Sequence, residues 1–460
     1  MYRYSSSSGL QTIQSGIDKR VSICWRLVWI VTLLIGGVTT GVVVVAQTTI
    51  PNWWGSQPTS IIKDLPAHSL QPVIASDPSS GLLMAAWSNP PSEGALRNIY
   101  TVHSTDNGVS WTDPTEISTT ADNSLKPDLI ITQDQIFVTW VEGSPPTTIY
   151  EAERTPSTSW EMHPVPSPQP LDDYVRPRLA TGAGKLHIVF SGKEENITSI
   201  LYAARPITAS TWVTATAIYT NTTTDERSRF PVLAVAPDGQ TLHLVWQEHV
   251  FSSNEDVIMY MQGQASGDSV VWGPVNILSS RTQDMIEPDA VIDFDGNVHV
   301  TWGEVGAGAH EEQYVRYTRY VGGLWMTPTV RIDPDHVRVH DLSPYYVVPK
   351  MAVWGADDQM ILCVAWHGYR TDAVLEGAAE EVLSSCSYDK GDSWSLPKNV
   401  SRSSEDNETL SVSPSIAFDV TGQLQVVWQE RAGAVLLQDY EIYHSYAIHL
   451  VFMPLLMRNG

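Results

Sequence analysis

Cysteine is nearly absent from this chain, with three in 460 residues, so a disulfide framework cannot be what holds so large a fold together. Basic residues are also scarce, 27 against 51 acids. Beyond residue 46 the imbalance deepens to 23 against 50, a net charge of −27. A surface that acidic repels phosphate backbones and anionic bilayers, which excludes nucleic acid as a partner and favours solubility, cations or cationic partners. Strong amphipathic helical periodicity is missing as well. Short alternating runs dominate, so the chain reads as all-β. The length suits two or three average domains or one large β domain and does not choose between them.

One long hydrophobic run exists. Leu27 to Ala46 carries no charge, and Arg3, Lys19, Arg20 and Arg26 precede it with only Asp18 opposing. Twenty apolar residues at about 1.5 Å rise span the hydrocarbon core as a helix, and the basic flank keeps the N-terminus cytoplasmic. Two readings stand: a single-pass signal anchor, or a signal peptide cleaved near Ala46 with Val44 and Ala46 at the −3 and −1 positions. Either exports the remainder. The organisation expected is therefore a basic segment at 1–26, the hydrophobic segment at 27–46, a large domain at 47–448 and an apolar tail at 449–460.

The large domain is repetitive. A unit of about 50 to 65 residues recurs seven times, opening with proline at Pro72, Pro127, Pro177, Pro231, Pro288, Pro349 and Pro414. A second strand ends in an aromatic at Trp87, Trp140, Phe190, Trp246, Trp302, Trp366 and Trp428, and a third carries a tyrosine in most units. A fourth begins with tryptophan at Trp111, Trp160, Trp212, Trp272, Trp325 and Trp394. These two columns take twelve of the seventeen tryptophans, which makes chance spacing untenable. Four short strands per unit, with large aromatics at fixed registers, describe blades that bury side chains between neighbouring sheets. The expected fold is a seven-bladed β-propeller of four-stranded blades, preceded by one N-terminal hydrophobic helix.

Blade seven lacks a fourth-strand tryptophan after Tyr443. Trp54 to Ile61 has the pattern of Trp272 to Ile277, so a strand within 53–62 is expected to close the ring and remove an open edge. Phe452 to Met457 is the rival closing strand.

Two segments fit S-x-D-x-G-x-[ST]-W: Ser104, Asp106, Gly108, Ser110 and Trp111, and again Ser387, Asp389, Gly391, Ser393 and Trp394. Each falls between third and fourth strands. The aspartate can bind turn amides and serine hydroxyls, and the glycine permits positive φ. The motif resembles the Asp box of the sialidase-like propellers, where it is structural and lies away from the active face. The resemblance implies ligand binding at the opposite loops, around the central channel. In sialidases an arginine triad holds the substrate carboxylate, a tyrosine assisted by a glutamate is the nucleophile, and an aspartate is the acid/base. The Arg-Ile-Pro motif of that family has its nearest counterpart in Arg229-Phe230-Pro231, in the fourth repeat rather than the first.

Residues at the repeat prolines supply the ligand-binding candidates Lys126, Arg176, Arg229, Glu287 and Asp289, with Asp128, Arg178 and Lys350 at the position after proline. Cations there can hold a carboxylate through charge-assisted hydrogen bonds. Glu142, Glu248, Glu304 and Glu430 recur in Trp-x-Glu. For glycosidic chemistry the candidates are Arg176, Arg229, Glu248, Glu287, Glu304 and Tyr346, with Tyr345 beside the last. The competing reading is mutual neutralisation of these charges around a wet channel.

His187, His243 and His299 share one register in consecutive repeats, which reads as repeat packing, since adjacent blades stand about 10 Å apart and zinc ligands about 2 Å from one ion. Asp293-Phe294-Asp295-Gly296 reads as a hairpin turn rather than a calcium loop. No metal or cofactor is expected. Cys363 and Cys386 fall on neighbouring strands and either pair in an oxidising compartment or stand as two buried thiols. Asn196, Asn221, Asn399 and Asn407 head glycosylation sequons. Three functions remain open: an extracytoplasmic glycan- or protein-binding module with a monomeric ectodomain, a sialidase-like exo-glycosidase, and an assembly factor of a membrane complex.

Overall fold

A computed structural model describes residues 53–54, 57–62, 65, 68–77, 79–132, 135–267, 269–280, 284–305, 312–327, 329–332, 337–338, 347–368, 380–402, 409–431 and 440–448. The segment 27–46, Tyr345, Tyr346, Asn407 and the tail 449–460 lie outside these residues. Among the described residues no helix is long and apolar enough to cross a membrane.

The strands form seven antiparallel sheets, six of them built in chain order from the channel outward. Blade one runs Leu70–Ser76, Leu83–Asn89, Asn98–Ser104 and Thr115–Glu116. Blade four is the most extended, with Glu226–Val235, Thr241–Val250, Glu255–Ser266 and Ser269–Ile277. In blade seven, Leu410–Phe418, Leu424–Arg431 and Glu441–Ile448 are completed from the N-terminal side. Trp53 pairs with Ile448 and Trp54 with Ala447, and Thr59 and Ser60 continue along His444 and Tyr443. The first and last described strands of the chain thus share one sheet, so no blade edge is left open at the seam.

The aromatic that ends each second strand is at most 1 % exposed in all seven blades. Cutting such a tryptophan to alanine costs about 3–5 kcal/mol, so this column is the main fastening of each blade. The fourth-strand tryptophans do a different job. Trp272, Trp325, Trp394 and Trp111 meet Tyr202, Tyr260, Tyr317 and His444 of the preceding blade edge-on, at centroid distances of 5.6, 4.8, 5.0 and 5.0 Å. One column closes the blade and the other joins neighbours.

The histidine register belongs to the same joints. His187, His243 and His299 bond through Nδ1 to the hydroxyls of Tyr202, Tyr260 and Tyr317 at 2.8, 2.8 and 2.7 Å. Burial pushes His187 and His243 down to about 4, so they are neutral. The Asp293 carboxylate accepts from the Asn297 amide at 2.8 Å and faces His299 Nε2 at 3.2 Å, which closes a hairpin turn.

Both Asp boxes show one bonding pattern. Asp106 Oδ1 accepts from Ser104 Oγ at 2.8 Å and from the Ser110 amide at 2.9 Å, and Gly108 N donates to Ser104 Oγ at 2.9 Å. Asp389 accepts from Ser387 Oγ and the Ser393 amide, each at 2.8 Å, and Gly391 N donates to Ser387 Oγ at 2.8 Å. The glycines sit at φ 81° and 90°, where a side chain is strained.

Cys363 and Cys386 face each other across adjacent strands of blade six and form a disulfide, with Cα atoms 4.1 Å apart. The bridge closes a separation of 23 residues, which in the chain-entropy view contributes about 3 kcal/mol.

Candidate functional site

The chain departs from regular strand geometry where it meets the channel. Proline has no N–H to give a ladder, and in five blades the register slips by a residue around it. At each slip the residue before proline turns left-handed, with φ 58° at Gln71, 56° at Lys126, 52° at Phe230, 33° at Glu287 and 53° at Ser413. Each such residue costs about 1–2 kcal/mol. Glutamine side chains hold several of the displaced amides. Gln71 N donates to Gln429 Oε1 at 2.6 Å, Lys126 N to Gln71 Oε1 at 2.8 Å, and Glu287 N to Gln247 Oε1 at 3.0 Å. The bulges are therefore tied from blade to blade around the channel, and they re-aim the side chains that carry charge.

Those side chains line a cavity of about 410 Å³. Lys126, Arg176, Arg178 and Lys350 face Asp128, Glu287 and Asp289 there, an excess of one positive charge inside a chain of net charge −24. Arg176 pairs with Glu287. Arg178 bonds Asp289 at 3.0 Å and stands 3.5 Å from Asp128, and Lys350 is 4.0 Å from Asp289. Asp128 and Asp289 also accept the amides of Leu179 and Met351, at 2.7 and 2.9 Å. Lys126 differs. Its ammonium donates to the Asp173 carbonyl at 3.3 Å and has no carboxylate partner among the described residues. Burial, followed by the Arg176 guanidinium, lowers Lys126 to about 8. A strained, desolvated lysine in a cleft is the kind of group that functional sites gather.

Arginines and aromatics extend the mouth over blades three and four. Arg176 and Arg229 both lie against the Phe230 ring, 5.0 and 5.7 Å from its centroid, and Arg227 covers Tyr174 at 4.4 Å. Arg229 bonds Asp256 at 2.8 Å and Arg227 bonds Asp172 at 2.8 Å. Of the candidates, Lys126, Arg176, Glu287 and Asp289 line the cavity, and Arg229 flanks it through Phe230.

Glu248 and Glu304 are placed elsewhere. Glu248 is buried and accepts from Trp246 Nε1 at 3.0 Å, Ser228 Oγ at 2.7 Å and Asn221 Nδ2 at 2.6 Å. Glu142 and Glu430 repeat this bond to Trp140 and Trp428, at 2.5 and 2.9 Å. Trp-x-Glu is thus a latch on the core tryptophan. Glu304 instead takes Arg316 bidentately, at 2.7 and 2.8 Å. Sequence reading did not single out Tyr174, Arg227 or the Gln71 tie. The proline register pointed to the cations, but nothing in it marks which glutamine meets which bulge.

No family model and no curated protein matches the chain. Among solved structures it is similar to an ulvan lyase, described as a polysaccharide lyase of a new family: 13% identity, 85% of this chain and 94% of that one covered, TM-score 0.55. A protein of unknown function from Dyadobacter fermentans DSM 18053 is similar at 13% identity, with 85% and 97% covered and a TM-score of 0.50. The NanB sialidase from Streptococcus pneumoniae is similar at 10% identity, with 85% and 70% covered and a TM-score of 0.46. The likeness is one of fold. This chain presents a propeller, with the box-bearing turns on one face and the charged mouth on the other.

Proposed function

We propose that this propeller is an extracytoplasmic binding module that takes an anionic glycan at the channel mouth, exported behind residues 27–46. One observation carries the reading: the mouth keeps a net positive charge in a strongly acidic chain, with Lys126 in no salt bridge among the described residues. The paired carboxylates of Glu287, Asp289 and Asp128 fix the guanidiniums in place, so an incoming carboxylate or sulfate meets preset donors rather than mobile ones. That a polysaccharide lyase is built on the same fold is in keeping with a glycan ligand. The segment 27–46 supplies the only membrane contact in this reading, and the ectodomain acts as a monomer.

A glycan array probed with the ectodomain tests it. Uronate-, sialate- or sulfate-bearing glycans are expected to be retained, with binding lowered about tenfold or more in Lys126→Met. Retention of neutral glycans alone, or of charged ones equally by Lys126→Met, would overturn the reading. The gathering of Arg176 and Arg229 on Phe230, with Glu287 beside Arg176, favours a second reading as a sialidase-like hydrolase. Release of a fluorogenic sialoside by the ectodomain, lost in Arg176→Ala, separates hydrolysis from binding.

A further inference from the structure

The two Asp boxes do more than close their own turns, because each reaches over the blade before it. A Cβ on Gly391 of blade six would overlap the Tyr317 hydroxyl of blade five. A Cβ on Gly108 of blade one would stand 2.6 Å from His444 and 2.7 Å from Gln425 of blade seven. Arg319 of blade five also bonds Asp392 of the second box. An intact box therefore roofs the joint between its blade and the last.

Blade five has no box. Its third strand returns through Gly322 and Gly323 alone, both left-handed at φ 59° and 88°, a two-residue hairpin that stops short of blade four. Trp325 still meets Tyr260 edge-on, so the joint itself is kept while its roof is missing. A hollow of about 340 Å³ is left between blades four and five. Its walls include Gln262 and Asp238 from blade four and Tyr320, Asn297, Asp295 and Phe294 from blade five. Phe294 stands at the rim and is 68 % exposed, so its ring face is open to a ligand.

No cation lines this hollow, so an anionic ligand has nothing to pair with there. The two carboxylates are already engaged. Asp238 accepts the Gln240 and Thr241 amides at 2.7 and 2.9 Å and Thr241 Oγ1 at 2.8 Å, and Asp295 holds Lys390 at 3.1 Å. Asp295 is neutralised by that lysine, whereas Asp238 is held by neutral donors and offers its oxygens as acceptors. The Gln262 side-chain amide makes no hydrogen bond among the described residues, and the amide of Asn297 spends only its Nδ2, on Asp293 at 2.9 Å. An exposed aromatic beside uncommitted planar amides and carboxylate oxygens is matched by a pyranose, which offers an apolar C–H face and vicinal hydroxyls.

We infer that the hollow between blades four and five is a second carbohydrate site, on the turn face, that binds a neutral sugar with Phe294 under the ring and Gln262 and Asn297 on its hydroxyls. The site is independent of the channel mouth and of any reading of it.

Saturation-transfer NMR of the full chain with cellobiose, maltose, lactose and mannobiose, each at about 10 mM, tests the inference. At least one disaccharide is expected to show transfer to its ring C–H protons. Its affinity should fall about tenfold in Phe294→Ala and in Gln262→Ala, and stay unchanged in Lys126→Met. Phe294 is exposed, so its loss leaves the fold intact, and the unchanged melting temperature of the variant confirms this. Absence of transfer from all four sugars, or binding that survives Phe294→Ala, overturns the inference. So does a site that takes choline in place of every sugar.

Discussion

The two faces of the propeller solve opposite problems with the same repeat. On the turn face, each Asp box places left-handed backbone on two successive residues, Asn107 and Gly108 or Lys390 and Gly391, and surrounds them with carboxylate-to-amide bonds. On the channel face, left-handed backbone falls on Gln71, Lys126, Phe230, Glu287 and Ser413, none of them glycine and each followed by proline. Each box thus gives one of its two left-handed positions to glycine, where the conformation carries no steric cost. The channel mouth puts all of it on residues with side chains, two of which, Lys126 and Glu287, present charge to the cavity. The second-strand aromatics, buried in every blade, supply the stability that the mouth gives up.

Gly391→Ala should open the widest gap between the faces. Its Cβ combines a φ of 90° with overlap of Tyr317, and about 3–5 kcal/mol of stability should be lost in a urea titration. Gly267→Ala, at φ 62° with open space around it, should lose only about 1 kcal/mol. Equal losses would show that the roof over Tyr317 carries no packing.

Acid pH probes the joints beneath the turns. His187 and His243 are held at about 4 and His444 at about 3, by burial in each case, below the unfolded value of 6.5. Between pH 6.5 and 4 the unfolded chain takes up protons that the folded one refuses, so stability falls as pH falls through that window and is unaffected above it. His243→Gln should flatten the acid limb of a melting-temperature profile by about 1–2 kcal/mol at pH 5. An unchanged limb would place the titration elsewhere.

At the mouth the stability trend has the same sign, while binding runs the other way. Lys126, lowered to about 8, loses its proton as pH rises through that value, so affinity for an anionic glycan should fall between pH 7 and 9. Over the range from 8 to the unfolded value the folded chain binds fewer protons, and stability should rise with pH. Lys126→Gly should remove both trends and add about 1 kcal/mol by relieving the left-handed backbone. If it destabilises the chain instead, the mouth is not strained as described.

Much of this architecture was legible because it rests on repetition. Both tryptophan columns and both boxes stand at fixed registers, and burial follows from register once each unit is four alternating strands. The candidate site was legible only in part. A residue before proline is ordinarily extended, so nothing local announces that Lys126 and Glu287 turn left-handed. Trp-x-Glu read as a set of carboxylates at the channel, not as a latch. The indole N–H two residues earlier decided it for Glu248, since a buried donor must find an acceptor.

Composition and spacing by themselves determined the fold, the number of blades, the box turns and the acidic surface. Those are consequences of local patterning repeated until it closes on itself. Only the tertiary structure decided which charges meet, which glutamine ties which bulge, that Cys363 and Cys386 are bonded, and that blade five leaves its joint unroofed. Each of these depends on atoms from different blades arriving at one place, and distance between blades is not written in the order of residues along any one of them.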